Sequence, residues 1–271
     1  MLITNDVALV VLVPLTLSLR IQNKGVLVIL EALAANAGSA LTPTGNPQNL
    51  FIYWHYGLTP EIFIRTIAPF SLVFLLILII ASLLVKTDAQ IQNAPVEKFR
   101  SKAYIYGLLL FTVILTVFHV LPVYSGLVVI LFAIIFDRQA LRVDYGLLLS
   151  FLFFFGVADN LKIILEQSIN HSEHIFLISA LASQVISNVP ATLVFAKLTP
   201  DWPALLWGAN AGGFGSLFGS LANLIAYRIY ITHEGREQVV KFTLQFIALG
   251  YIALLISFGL YFILYKTLLP L

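Results

Sequence analysis

The sequence predicts an all-α protein that crosses a membrane several times and contains an internal inverted repeat. Of its 271 residues, 60% are hydrophobic and only 10% are charged. Soluble domains carry about 25% charged residues, so the polar residues of this chain cannot cover a globular surface. Several uncharged apolar segments are long enough to cross a bilayer. In addition, one polar, helix-breaking segment occurs twice along the chain.

The apolar segments define the candidate spans, which are Thr66–Val85, Tyr104–Phe136, Tyr145–Leu165 and Phe242–Tyr265. The first has 20 uncharged residues, close to the length of a membrane-spanning helix. The second is too long for one helix, and Pro122 predicts a turn between two shorter ones. The third is interrupted late by Asp159 and Lys162.

Positively charged residues predict how the chain is oriented in the membrane. With the linker Lys86–Lys102 in the cytoplasm, eleven of the 15 Lys and Arg residues lie inside, as the positive-inside rule expects. This assignment requires Ile175–Leu198 to enter and leave the membrane at its outer face. We therefore predict a re-entrant hairpin there. The four outer residues are Arg65, Lys162, Lys197 and Lys266.

A polar segment is repeated after 174 residues without a gap. NAGSALTPTGNPQNLFIY occupies Asn36–Tyr53, NAGGFGSLFGSLANLIAY occupies Asn210–Tyr227, and seven of the eighteen positions are identical. Its Gly, Pro and Asn residues predict a broken helix. Such backbone is tolerated at membrane depth only where it is buried in protein or lines a wet cavity. We therefore expect each copy to contribute to a binding site.

A second pairing lies upstream of each copy. TNDVALVV begins at Thr4 and SNVPATLV begins at Ser187, with an Asn at the second position of both. Each half thus has a hairpin tip and then a broken helix, and such elements form the site of internal-repeat transporters. Helix N-termini there favour anions, whereas free carbonyls and Asn side chains favour Na⁺ or a proton-carrying water. The four segments contain no Arg, so backbone amides and helix dipoles would hold any anion.

Each of these features has a structural alternative. Asn36–Tyr53 is an ordinary surface loop in the simplest alternative, and its match to the second copy argues against this. Gly213 and Gly219 are candidates for close helix packing alone. The Ser187-Asn188 pair has the composition of a helix N-cap.

Two acidic residues fall within predicted membrane segments. Asp6 follows the first hairpin tip, and an intramembrane carboxylate is a functional candidate, although an N-cap role is equally open. Glu31 lies in the first half of the broken helix, where we expect a structural role. The chain has no cysteine, and its five histidines are scattered, so we expect no metal site, no cofactor and no enzyme activity.

The motifs TNDVAL, NAGSALTPTGNPQN, SNVPATLV and GANAGGFGSLFGSLANLIA resemble a known group of proteins across the whole chain. This is the group of arsenite permeases, sodium–proton antiporters and citrate-transporter-like proteins within the ion transporter superfamily. The resemblance implies an inverted-repeat, elevator-type secondary transporter whose Ser/Thr-Asn tips bind substrate and coupling ion. The site residues expected on this chain are Thr4, Asn5, Asp6, Asn36, Gly38, Thr42, Gly45, Asn46, Asn49, Ser187, Asn188, Asn210, Gly212, Gly215, Ser216 and Asn223.

The repeat also predicts how the chain is divided. Residues 1–85 would be the remnant of a first repeat, 86–103 a cytoplasmic linker, and 104–271 a second repeat. That second repeat would contain the outer hairpin 175–198, the broken helix 204–230 and a last span. Twofold symmetry predicts about 80 further residues ahead of Thr4. We therefore expect this chain to be N-terminally truncated.

We expect a multi-pass permease of the inner, or plasma, membrane that moves a small inorganic or carboxylate anion with Na⁺ or H⁺ as coupling ion. Two alternatives stay open. One is a cation/proton antiporter with Asp6 as its proton site, and the other is an inactive truncated fragment. The expected partners are the anion and the lipid bilayer. No nucleic-acid partner is expected, and a homodimer is left open.

Overall fold

The computed structural model describes residues 4–19, 21–86, 102–141, 172–233 and 236–265, with the single positions 145, 146, 149, 153 and 156. Regular secondary structure within these residues is helical, without any strand, which confirms the predicted all-α class. Most of the predicted linker and of the predicted span Tyr145–Leu165 lies outside the described residues, as do Asp159 and Lys162. Contacts divide the chain into two compact units, Met1–Gln92 with Phe154–Leu271, and Asn93–Phe153.

The first part of the larger unit consists of α1 (Asn5–Ser18), α2 (Lys24–Ser39), α3 (Pro47–His55) and α4 (Pro60–Leu84). Helices α2 and α3 are the two halves of the first broken helix. Helix α4 begins after Thr59, whose side chain accepts a hydrogen bond from the backbone N–H of Ile62 at 3.4 Å. Its 25 residues are long and apolar enough to cross a membrane.

The smaller unit contains α5 (Lys102–Val117) and α6 (Gly126–Phe136). Between them the chain turns at His119, whose φ is +59°, and extends at Pro122 before a short 3₁₀ helix. Proline cannot continue a helix from its N-terminal side, and the turn lies where the sequence predicts it.

The second part of the larger unit consists of α7 (Ser172–Ile186), α8 (Asn188–Ala196), α9 (Trp202–Ala211), α10 (Leu221–His233) and α11 (Arg236–Leu260). Helices α7 and α8 pack against each other and are separated only by Ser187, whose φ of +71° ends the first helix. Helices α9 and α10 are the halves of the second broken helix.

Aromatic residues join the two halves of the larger unit. The indole N–H of Trp207 on α9 donates to the carbonyl oxygen of Thr66 on α4 at 2.9 Å. Phe70 lies edge-on to Trp207, with ring centroids 5.6 Å apart, and Phe74 contacts Phe214 at 4.6 Å. Because all four rings are fully buried, this cluster fixes the position of the second broken helix against α4.

The outer surface is apolar and the interior is unusually polar. Helix α4 exposes a row of large side chains, namely Leu72, Leu75, Leu76, Ile79, Ile80, Leu83 and Leu84. Buried side chains instead include seven asparagines: Asn5, Asn36, Asn46, Asn49, Asn188, Asn210 and Asn223. An apolar exterior suits lipid rather than water. Residues Gln238–Leu264 form a second helix of spanning length.

Candidate functional site

The first helix break is built from residues that cannot continue a helix. Proline occurs at positions 43 and 47, and Asn46 caps α3 by accepting a hydrogen bond from the N–H of Asn49 at 2.9 Å. Gly45 approaches α2 so closely that a Cβ there would lie 2.0 Å from the carbonyl oxygen of Ser39. A glycine is therefore required for the chain to fold back between the two half-helices.

Asn49 satisfies the carbonyl groups left free where α2 ends. Its amide Nδ2 donates to the carbonyl oxygens of Ser39 at 3.2 Å, Ala40 at 2.9 Å and Thr42 at 3.2 Å. A helix C-terminus leaves its last carbonyls unpaired, and Asn49 is fully buried, where unpaired polar groups are costly. This one side chain therefore closes the C-terminal end of the first half-helix.

The second break repeats the arrangement 174 residues later. Asn223 is the counterpart of Asn49, and its Nδ2 donates to the carbonyl oxygens of Gly213 at 2.9 Å and Ser216 at 3.0 Å. These two acceptors are the counterparts of Ser39 and Thr42 in the repeat. The sequence repeat is therefore also a repeat of hydrogen bonds.

Gln184 of α7 completes the second break. Its Oε1 accepts from the backbone N–H of Ser216 at 2.7 Å, and its Nε2 donates to the carbonyl of Gly212 at 3.0 Å. The Ser216 hydroxyl donates back to the Gln184 carbonyl at 2.9 Å. We did not predict this residue from the sequence, because the repeat offers no counterpart for it.

The two breaks are also bonded to each other by a symmetric pair of contacts. Asn36 Nδ2 donates to Asn223 Oδ1 at 2.8 Å, and Asn210 Nδ2 donates to Asn49 Oδ1 at 2.8 Å. Asn46 Nδ2 donates to Asn210 Oδ1 at 3.2 Å, while Ser220 Oγ, at the equivalent position, donates to Asn36 Oδ1 at 3.1 Å. We call Asn36, Asn46, Asn49, Asn210, Ser220 and Asn223 the asparagine network. Ser220 was not predicted, although its alignment with Asn46 is a signal for it.

The N-terminus of α1 joins this network. Asn5 Nδ2 donates to Asn36 Oδ1 at 3.2 Å, and the Asn5 backbone N–H donates to the carbonyl of Gly45 at 3.1 Å. Thr4 precedes the helix without a side-chain capping bond. Of the predicted TN pair, the structure therefore places Asn5 in the network and leaves the Thr4 hydroxyl outside it.

The other predicted tip residue, Asn188, differs from Asn5. Its side chain is 2% exposed, and its amide Nδ2 is buried without a hydrogen-bond acceptor. A Cβ on Gly213 would lie 3.1 Å from this nitrogen and 3.6 Å from Asn36 Oδ1, so the amide lies beside the network. Buried amides are normally paired, so this unpaired donor sets Asn188 apart from the asparagines of the network.

The remaining predicted glycines have different structural roles. A Cβ on Gly212 would lie 2.4 Å from Ser183 Oγ, so this glycine allows α9 to pack against α7. Gly215 has a φ of +86°, and its N–H donates to the Gly250 carbonyl at 2.9 Å. Gly38 is exposed and lies outside the network. A Cβ on Gly219 would meet the Gly212 and Phe214 carbonyls at 2.7 Å, so Gly219 serves the turn itself.

Asp6 follows Asn5 directly and lies beside the network in sequence. Its backbone N–H donates to Asn5 Oδ1 at 3.0 Å. Its carboxylate Oδ1 is buried and has no hydrogen-bond partner. Asp6 does not cap α1 in the manner of an Ncap residue, because the helix already begins at Asn5. The N-cap alternative for this side chain is therefore not supported.

Tyr56, just after α3, ties the first broken helix to the end of the α7–α8 pair. Its hydroxyl lies 3.0 Å from the carbonyl of Ala196 and 2.8 Å from that of Thr199. Burial raises the pKa of Tyr56, and the Asp201 carboxylate raises it further. The hydroxyl thus remains a hydrogen-bond donor at physiological pH.

Comparison with known proteins identifies the family of this chain. Residues 1–202 match the family described as citrate transporter. The chain belongs to the citrate transporter family. This membership confirms the citrate-transporter-like part of the resemblance, the transport and membrane assignments, and the location in the plasma membrane. The kinship with arsenite permeases and sodium–proton antiporters stays a prediction.

Two relatives are similar to this citrate transporter family member over most of its length. An uncharacterized transporter of Methanocaldococcus jannaschii is 38% identical over 253 residues, which cover 90% of this chain and 70% of the relative. The inner membrane protein YbiR of Escherichia coli is 37% identical over 248 residues, which cover 84% of this chain and 65% of the relative. The chain thus spans about two thirds of the length of each.

Proposed function

We propose that this protein is a secondary active transporter of a small carboxylate anion, with citrate as the first candidate and H⁺ or Na⁺ as the coupling ion. The family membership supports transport of this class. The observation that carries the proposal is the buried, unpaired Nδ2 of Asn188 beside the asparagine network. A carboxylate oxygen is the natural acceptor for such a donor.

The distribution of donors and acceptors around the network favours an anion. The carbonyl ends of the first half-helices are satisfied by Asn49, Asn223 and Gln184. The N-termini of α1, α3, α8 and α10 begin at or beside Asn5, Asn46, Asn188 and Ser220. Helix N-termini carry a partial positive charge and free N–H groups. Because the carbonyls are capped and four helix N-termini lie around the network, the electrostatic field at the network favours a negatively charged ligand.

The test is uptake of labelled citrate into vesicles that contain the purified chain. We expect uptake driven by a proton or sodium gradient, lost in Asn188→Ala and retained in Gln139→Ala, which removes an exposed amide of the smaller unit. Uptake by Asn188→Ala at the wild-type rate, with the variant folded, would show that this amide does not bind the substrate. No citrate uptake by the wild type under either gradient would reject citrate transport by this chain.

Cation/proton antiport is a second candidate, and the unpaired Asp6 carboxylate oxygen supports it. The variant Asn188→Asp separates the two candidates because it preserves shape while replacing a donor with a negative charge. Anion transport should be lost in this variant, since two negative charges repel. Proton-driven Na⁺ or K⁺ exchange that survives in Asn188→Asp and fails in Asp6→Asn would favour the antiporter.

We also propose an elevator-type movement. The hydrogen bonds that join the two breaks to each other support it, because they allow both breaks to move together. In such a movement the site is exposed to each side of the membrane in turn. Ser187→Cys places a thiol at the predicted hairpin tip in a chain without cysteine. We expect a membrane-impermeant maleimide to label it from either side, and citrate to protect it. Labelling from one side under every condition would be inconsistent with this movement.

A further inference from the structure

A cavity of about 450 Å³ lies along α2 on the side facing α1 and α4. Its wall is mostly apolar, and Glu31 is the only titratable residue that lines it within the described part of the chain. Glu31 Oε1 accepts a hydrogen bond from the hydroxyl of Thr16 on α1, whereas its Oε2 is buried without a partner. The carboxylate is therefore half satisfied.

Ser71 of α4 lines the same cavity and is also unsatisfied. Its side chain is 5% exposed, and its Oγ is buried without a hydrogen-bond partner. Serines in helices commonly bond to the carbonyl four residues earlier, as Thr66 does here to Ile62 at 2.9 Å. Two unsatisfied oxygens thus line one apolar cavity from opposing helices.

We propose that Glu31 is a proton-binding carboxyl group held by Thr16, and that it couples proton binding to the site at the first helix break. Its Oε2 is buried without a donor, and a buried charge that is not fully paired is costly. A proton bound at Oε2 would remove that charge. The coupling role rests on the proposed function, whereas proton binding by Glu31 does not.

A proton fits this cavity better than a metal cation. Hard cations such as Ca²⁺ and Mg²⁺ take about six or more oxygen ligands. Apart from Glu31, the side-chain oxygens that line the cavity belong to Thr16, Ser71 and Ser82, and Ser82 already donates to the Ile79 carbonyl at 2.8 Å. A proton needs only one carboxylate oxygen.

The position of Glu31 suits a role in coupling. It lies seven residues after Lys24, about 10 Å along the helix, and five residues before Asn36, about 8 Å. Gly38 and Leu41, at the start of the break, line the same cavity. An ionisable group between the helix end and the network is a functional candidate in a membrane protein.

No other charged group with a described side chain competes in this cavity. Lys24, on the same helix, donates its ammonium group to the Leu17 carbonyl at 2.7 Å. The helices packed against α2 are α1, α4, α10 and α11. Their other titratable residues with described side chains, none of which lines the cavity, are Asp6, Glu61, Arg65, Tyr227, Arg228, Tyr230, His233, Lys241 and Tyr251.

Infrared spectra of the full chain in lipid vesicles, recorded as pH is raised, test this assignment directly. We expect the carbonyl band of a protonated carboxylic acid to be converted to carboxylate bands. The band should be absent in Glu31→Gln and present in Asp6→Asn, which removes the other unsatisfied carboxylate. A band that persists in Glu31→Gln overturns the proposal, as does the lack of any such band in the wild type.

Thr16→Val keeps the test decisive if Glu31→Gln does not fold. Removal of the hydroxyl that donates to Glu31 Oε1 should shift the frequency of the carboxylic acid band. Ser82→Ala, which removes a hydroxyl that has its own partner in the same cavity, should leave the band in place. A band unaffected by Thr16→Val overturns the assignment of the band to Glu31.

Citrate uptake then tests the coupling role. If the wild type takes up citrate, uptake by Glu31→Gln should lose its dependence on the pH gradient. Uptake by Glu31→Gln with an unchanged pH dependence overturns the coupling role while leaving citrate transport intact. Absence of uptake in the wild type would reject citrate transport instead, and the infrared band would still decide whether Glu31 binds a proton.

Discussion

Asn210 Nδ2 donates to Asn49 Oδ1 at 2.8 Å across the two halves of the chain. Asn36, the counterpart of Asn210, donates in the same way to Asn223, the counterpart of Asn49, at 2.8 Å. Each half therefore provides the donor to one bond and the acceptor to the other. The second break is held in place by the first, and neither break has all of its hydrogen bonds without the other.

We expect Asn49→Ala to destabilise the folded protein strongly. The substitution leaves the carbonyls of Ser39, Ala40 and Thr42 without this donor. It also removes one of the two acceptors of Asn210 Nδ2. Unpaired buried polar groups cost about 1–3 kcal/mol each, so the loss should reach about 3 kcal/mol. Thermal unfolding in detergent measures it, with Gln139→Ala as the exposed control. An unchanged midpoint for Asn49→Ala would contradict the capping role.

Asn188→Ala should have the opposite profile. Its Nδ2 has no partner to lose, so its removal should change the midpoint of thermal unfolding by little. Citrate binding, measured by isothermal calorimetry on the same preparation, should be lost. A variant that loses stability as severely as Asn49→Ala would show instead that Asn188 is structural.

The positions of the breaks could be predicted from the sequence, but the contacts between them could not. Gly, Pro and Asn in two aligned segments indicate where the helices end, because these residues disfavour a continuous helix. Alignment identifies Asn36 and Asn210 as equivalent positions, yet equivalence does not say which residue each one contacts. That Asn36 pairs with Asn223 depends on how the halves pack.

Two features of the site have no signal in local sequence. Gln184 lies outside the repeated segment, and only the packing of α7 against the second break brings its amide to Ser216. Glu31 was expected to be structural, but its unpaired Oε2 depends on the apolar wall that α4 contributes. Burial of this kind is a tertiary property, which residue spacing does not report.

Gly45→Ala should abolish folding of the first break. A methyl group there would lie 2.0 Å from the Ser39 carbonyl oxygen, far closer than van der Waals contact permits. Gly107→Ala is the matched control, because nothing lies within 4 Å of a Cβ at that helical position. We expect Gly107→Ala to fold normally in size-exclusion chromatography and Gly45→Ala to aggregate. Normal elution and stability of Gly45→Ala would show that the break tolerates a side chain.

Asp6→Asn should change the ion dependence of transport if this carboxylate participates in coupling. Its Oδ1 is buried and unpaired, and the substitution removes the charge while keeping the shape. We expect altered dependence of citrate uptake on Na⁺ or on pH, with a midpoint of unfolding close to wild type. A wild-type ion profile would limit Asp6 to a structural role at the start of α1.

The final prediction concerns orientation in the membrane. The excess of Lys and Arg on one side predicts that the loop after α6 is cytoplasmic and that the start of α4 is outside. The chain has no cysteine, so single cysteines can be introduced without background. Glu61→Cys and Gln139→Cys both replace exposed side chains. Glu61→Cys removes a surface ion pair with Arg65, and such pairs contribute little to stability. In intact cells a membrane-impermeant maleimide should label Glu61→Cys, and should label Gln139→Cys only after permeabilisation. The reverse pattern would invert the orientation, and the hairpin Ile175–Leu198 would then have to enter from the cytoplasmic face.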